Sequence, residues 1–273
     1  MAKRALCVGI NDYPVDGADL MGCVNDANDW AALLTEHYDF TTTDVRVMTD
    51  AEATKANVMA ALGDLLAGAA EGDVLAFTNS SHGSYLPDES GDEPDLYDET
   101  LCPHDIEDSM ILDDELRTLF AELPAGVHLT VISDSCHSGS TTRVLLSDII
   151  PGLRTEDDRR IRFLNPALVR DVRILENPAR AKPRRYEAYP ESEMKELLLS
   201  GCTDEEVSYD ASIDGDYHGA MTYHALKAIR EADYQITYAD LVARLNALLE
   251  EASYPQHPQL EGRGEMKERQ IFT

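Results

Sequence analysis

The chain has no apolar run approaching the roughly 18 to 20 residues that a bilayer-spanning helix needs. No signal-type apolar segment follows Met1. A soluble, cytoplasmic protein without a membrane partner is expected. Cysteine is scarce: Cys7, Cys23, Cys102, Cys136 and Cys202 are five in number, widely spaced, with no C-x-x-C pair. Neither a disulfide framework nor a thiolate zinc cluster fits that pattern, so reduced thiols are expected. Basic residues are also few. Against 52 Asp and Glu stand 23 Lys and Arg, a formal charge of −29. A nucleic-acid backbone is excluded as the main partner, because phosphate binding needs a basic face. Cationic partners are favoured, although solubility in salty surroundings would also account for the acidity. Finally, no G-x-S-x-G elbow is present, which disfavours a serine nucleophile.

What the 273 residues do contain is alternation. Apolar runs of strand length alternate with helix-period segments, the pattern of an α/β fold whose mainly parallel sheet is covered by helices on both faces. "RALCVGIN", "DVRVMTD", "DVLAFTNSS", "HLTVISDS" and "KELLLSGCT" read as five strands, and "RQIFT" as a terminal sixth. Helices are expected from about Asn25 to Tyr38, over "TKANVMAALGDLLAGA" with Thr54 as cap, from about Asp113 to Leu123, from Gly219 to Glu231 and from Tyr238 to Ala252. "SYLPDESGDEPDLYDETLCPHD" reads as loop. A single domain, 1–273, is expected: a larger part to residue 150, a linker over 151–186 and a smaller part from 187. That linker concentrates charge of the opposite sign, with ten basic residues against five acidic ones.

In open α/β sheets the active site lies beyond the carboxyl ends of the strands. His82 and Cys136 both fall at such ends. A cysteine there is ordinarily a small buried apolar residue. Cys136 differs because it leaves its strand between Asp134 and His137. A thiol is mostly protonated at neutral pH and needs a base, which His82 can supply. The amides of Gly83 and Cys136 are candidates for an oxyanion hole. Acyl transfer by a thiolate is implied, with His82 as base and then as acid. A metal site of Cys136, His137 and His82 is disfavoured, since adjacent Cys-His is poor geometry for one tetrahedral ion.

"SSHG" at Ser80 to Gly83 and "DSCHSGS" at Asp134 to Ser140 resemble the two catalytic motifs of metacaspases, the caspase-fold cysteine peptidases. The likeness extends through "ALCVGINDYP", "MGCVNDANDW", "YDETLCPHD", "ILDDEL", "LLLSGCTDEEVSYD" and "GAMTYHALKAI". It implies a caspase-like sheet of six strands, His82 as general base, Cys136 as nucleophile and a first specificity pocket for Arg or Lys formed by Asp26, Ser80 and Asp134. The chemistry agrees, since paired carboxylates grip a guanidinium bidentately. Asp26 taken alone reads equally as an acid favoured at a helix N-terminus. Many metacaspases are activated by calcium, and Asp98, Asp113 and Asp114 match positions used for it. The further acid of calcium-dependent members corresponds to Arg143, which repels the ion. No cofactor is therefore expected to be required, with calcium only a candidate activator, and the same acids read equally as solvated loop and helix cap.

The resemblance also places the Arg-rich linker where caspase-fold enzymes are cut during maturation. Self-cleavage is expected within "RTEDDRRIR" or "ARAKPRRY", with Arg154, Arg160, Arg162, Arg180 and Arg185 as candidates. A basic flap occupying the pocket as an inhibitor is the competing reading. Protein or peptide substrates and a monomeric state complete the expectation, against a rival in which the fold is a non-peptidase module binding basic proteins. Trp30 reads as core and His218 as a polar loop residue rather than a second base.

Overall fold

A computed structural model describes residues 1–87, 97–106, 110–136, 159–166, 190–203 and 206–273. Twelve strands are described: β1 (Lys3–Gly9), β2 (Val45–Thr49), β3 (Val74–Ser80), β4 (Gly83–Pro87), β5 (Tyr97–Leu101), β6 (Ile111–Leu112), β7 (His128–Asp134), β8 (Arg160–Ile161), β9 (Glu196–Ser200), β10 (Tyr209–Ile213), β11 (Asp216–Gly219) and β12 (Gln259–Glu261). Six helices accompany them: α1 (Cys23–His37), α2 (Lys55–Leu66), α3 (Asp113–Ala121), α4 (Ala220–Glu231), α5 (Tyr238–Glu251) and α6 (Gly264–Lys267). Thr54 caps α2 as expected, its hydroxyl accepting the Asn57 amide at 3.3 Å.

The main sheet runs β12-β9-β7-β3-β1-β2, all neighbours parallel except β12 against β9. Strands from both the larger and the smaller part of the chain share it. Side chains alternate cleanly between two cores, as the period-2 pleat requires. Ala5, Cys7, Val74, Ala76, Leu197 and Leu199 face α1, α4 and α5. Leu6, Val8, Leu75, Phe77, Leu129 and Val131 face α2 and α3. Both faces are apolar, which is why these strands read as continuous hydrophobic runs.

Two expectations are corrected. "RQIFT" is not the sixth strand: the edge is β12, while Ile271 and Phe272 turn inward as core residues. The Phe272 ring meets Trp30, Tyr38, Phe40 and Tyr238 edge-on at 5.1 to 6.5 Å, and its backbone bonds the Tyr238 hydroxyl and Lys3. Anchoring by an aromatic cluster replaced strand pairing. The acidic stretch after Gly83 is not wholly loop either, since it carries most of β4 and all of β5, which pair antiparallel and are joined by β6 beyond it. Its alternation is hidden by Pro, Gly and acids. A third small sheet, β11-β10-β8, stands at the carboxyl end of the main sheet.

Because Phe272 closes this cluster at under 2% exposure, Phe272→Ala should cost about 3–5 kcal/mol. Urea denaturation of the Cys136→Ala chain with and without the change measures it.

Candidate active site

The register of β3 and β7 builds the site. They are parallel neighbours with Ser80 opposite Asp134, so two residues further on His82 and Cys136 emerge side by side. The backbones nearly touch there. A Cβ on Gly83 would collide with the Cys136 carbonyl, so only glycine fits.

His82 is buried, its Nε2 2.6 Å from the Ala18 carbonyl. An acceptor at that distance fixes the proton on Nε2 and leaves Nδ1 unprotonated. Tyr13 lies tilted against the ring at 5.1 Å. Burial pushes the imidazole pKa down to about 4, with the Ala18 carbonyl opposing the shift. The group is neutral at pH 7 and able to accept a proton. Cys136 is fully buried; its Sγ accepts the Ser208 amide at 2.7 Å and shares a small apolar cluster with Cys202 and Val207.

Across this pair lies the chain's own segment 159–166. β8 pairs with β10, and the Arg162 amide donates to Ser208 O. The Arg162 carbonyl accepts from the amides of Gly83 at 2.9 Å and Cys136 at 3.2 Å. Beyond it, Leu164 N donates to Gly83 O and Ser84 Oγ donates to Leu164 O. The carbonyl following a basic residue thus sits between the two amides expected to form the oxyanion hole.

The Arg162 side chain is wholly buried. Its Nη2 donates to Asp26 Oδ2 at 2.7 Å and Asp210 Oδ1 at 3.0 Å, and Nη1 lies 3.3 Å from Asp134 Oδ2 while donating to Asp134 O at 3.0 Å. Burial would raise the Asp26 carboxyl, but Arg162, His218 and the Gly219 amide hold it below the ordinary range. Asp134 goes the other way: burial raises it despite Arg162, and Ser208 and Thr222 bond its carboxylate. Ser80 is buried beside Asp134. Asp210 is the member the sequence reading left without a role. Its carboxylate also accepts the Met21 and Gly22 amides, a fixed acceptor that only the fold reveals. Ala18 was likewise missed, because a carbonyl leaves no residue-type signal.

His218, expected as a polar loop residue, lies in β11. Its Nδ1 lies 3.5 Å from both Asp26 and Asp29, and the contact with Asp26 raises its pKa against burial. Trp30 is core, as expected. Of the linker candidates, Arg160 reaches the Asp19 carbonyl rather than the pocket; Arg154, Arg180 and Arg185, like His137 and Arg143, lie outside the described residues.

The acids matching calcium positions are otherwise engaged. Arg117 bonds Asp113 at 2.7 Å and Asp114 at 2.6 Å, and Asp98 is buried in β5. Among the described residues no group of three His, Cys, Asp or Glu could hold a metal. The Arg117 guanidinium thus pairs with two of the three carboxylates.

Fold and site together define a caspase-like α/β protein with a histidine and a cysteine just past the ends of neighbouring parallel strands. A structure of caspase-1 from Spodoptera frugiperda shares the fold alone: TM-score 0.56, 12% identity, 95% of this chain and 86% of that one. A crystal structure of a Geobacter sulfurreducens protein matches more fully, with TM-score 0.74, 28% identity and coverage of 100% and 99%. The description "Metacaspase, peptidase C14 domain" matches residues 3–145. Metacaspase-1 of Cryptococcus neoformans is 33% identical over 99% of this chain and 64% of its own, and metacaspase-1A of Aspergillus niger 33% over 94% and 69%. The chain belongs to the metacaspase family. It spans about two thirds of the length of these curated relatives.

Two outcomes follow from the pocket. A Cβ at Gly219 would stand 2.5 Å from Arg162 Nη1 and closer still to Asp134 Oδ2. Gly219→Ala should push the Arg162 guanidinium off its carboxylates and, in the Cys136→Ala background, lower Tm by roughly 2–4 °C per kcal/mol lost, read by thermal denaturation. His218, with its pKa raised in the fold, stabilises below about pH 6.5 and loses that contribution as pH rises through the raised value. In the Cys136→Ala background, His218→Gln should therefore lower Tm most near pH 6, by roughly 2–4 °C per kcal/mol lost, and least at pH 9.

Proposed function

We propose that the chain is a cysteine endopeptidase cleaving after Arg or Lys through a Cys136–His82 dyad, and that its own Arg162–Phe163 bond is a substrate. The observation carrying this is the posture of Arg162. Its guanidinium rests among three carboxylates while its carbonyl meets two amides beside a thiol. A lysine ammonium would satisfy the same carboxylates as a point charge.

His82 Nδ1 takes the thiol proton as Cys136 Sγ attacks the carbonyl carbon of the basic residue. The resulting oxyanion is held by the Gly83 and Cys136 amides, preorganised donors that need no reorientation. His82 then gives its proton to the leaving amine, the nitrogen of Phe163 in the intact chain. Water, deprotonated by His82, hydrolyses the acyl-enzyme and restores the thiol. The Ala18 carbonyl holds the Nε2 proton throughout, and Tyr13 packs against the ring.

The same posture supports one further reading, that the segment is a flap which occupies the pocket uncut. Leu164, at 1% exposure, anchors it on the far side of the scissile bond. Protein or peptide substrates with Arg or Lys, action as a monomer in the cytoplasm, and independence from metal belong to the proposal, with calcium at most an activator. Arg117 supports that independence by neutralising Asp113 and Asp114.

Incubating wild type beside Cys136→Ala and Arg162→Ala, with and without excess chelator, tests it. Wild type should yield a fragment beginning at Phe163, with or without chelator, and neither variant should. Intact bands in wild type would favour the flap. Wild-type processing that stops on chelation would restore calcium to the mechanism.

A further inference from the structure

Arg162 is not the only cation of the segment with a built seat. β8 pairs with β10, Ile161 opposite Tyr209 and Arg160 opposite Asp210, and this register delivers Arg159 to the end of α5. There the Arg159 guanidinium carbon lies 4.1 Å from the centroid of the Tyr254 ring. Its Nη1 donates to the Ser253 carbonyl at 3.0 Å. One side chain thus makes a cation–π contact and a hydrogen bond at once.

The seat is rigid. Tyr254 is 9% exposed, its ring backed by Tyr209 at 6.0 Å and His224 at 5.8 Å. Its amide donates to Leu249 O at 2.9 Å, closing the end of α5. Ser253 sits in the left-handed region at φ +60, the conformation that commonly terminates a helix. Helix C-termini carry partial negative charge that favours a cation.

We propose that Tyr254 and the Ser253 carbonyl form a second cation subsite, which recognises an arginine three residues before the scissile basic residue, so that the enzyme selects Arg-x-x-Arg sequences. The inference rests on the peptidase reading for its direction, since that reading makes segment 159–164 a bound substrate. Arginine is preferred over lysine, because a planar guanidinium stacks on the ring while keeping an N–H for the carbonyl. Alone, the cation–π contact corresponds to about fivefold to tenfold in affinity.

The test reads binding without chemistry, so failure of catalysis cannot mask it. The receptor is the full chain carrying Cys136→Ala, with Arg159→Ala and Arg162→Ala to weaken the internal segment. Fluorescence anisotropy compares labelled Arg-Ala-Ile-Arg-Phe-Leu with the peptides bearing alanine or citrulline at the first position. The arginine peptide should bind about fivefold to tenfold tighter than either. Adding Tyr254→Leu should erase the difference while leaving the alanine peptide's affinity unchanged, and Tyr254→Phe should retain it. Equal binding of all three peptides, binding of none, or a preference that survives Tyr254→Leu overturns the subsite. Separately, turnover of these peptides by the processed wild type tests the peptidase reading.

Discussion

Three carboxylates buried within reach of one guanidinium dominate this protein. Asp26, Asp134 and Asp210 come from α1, β7 and β10, three elements far apart in sequence. Isolated in a dry site they would repel one another and take up protons, because desolvation of unpaired charge costs several kcal/mol per ion. Arg162 relieves this, and the relief is not complete: three negative charges face one positive. The amides of Met21, Gly22, Gly219 and Thr222, the Ser208 and Thr222 hydroxyls and the raised His218 absorb the remainder. A pocket so built has a standing demand for a cationic side chain.

That demand also positions the chemistry. With the guanidinium held at the pocket floor, the backbone of the same residue has little freedom, and its carbonyl falls between the Gly83 and Cys136 amides. In the proposed peptidase reaction, binding energy gathered away from the reacting atoms would orient them. His82 is prepared independently: burial and one backbone carbonyl keep it neutral and in one tautomer. Gly83 and Gly219 are where the two halves of this arrangement approach closely enough that a methyl group would collide with them.

The layered sheet was legible in the amino-acid order because buried parallel strands are uniformly apolar and the helices between them carry a clear period. The misread elements each lacked such a pattern. β12 is three residues long and half-exposed, and the strands β4 and β5 carry the Pro and acids that usually mark loop. "RQIFT" looked like a strand because Ile271 and Phe272 are buried, although aromatic packing rather than pairing buries them.

At the site, residue chemistry singled out His82, Gly83 and Cys136, since a thiol and an imidazole at strand ends are conspicuous in any register, whereas Asp26, Ser80 and Asp134 were marked only by the resemblance to metacaspases. It also located the basic linker. Which arginine enters the pocket, and that Asp210 rather than a nearer acid completes it, depended on how β8 pairs with β10 at the edge of the cleft. The roles of Ala18 and Ser253 rest on backbone carbonyls, which every residue carries and which only chain geometry can aim. Composition and pattern determined what kind of groups the cleft would hold. Tertiary pairing decided which copy of each group is there, because charge is written in the side chain while direction is set by the backbone around it.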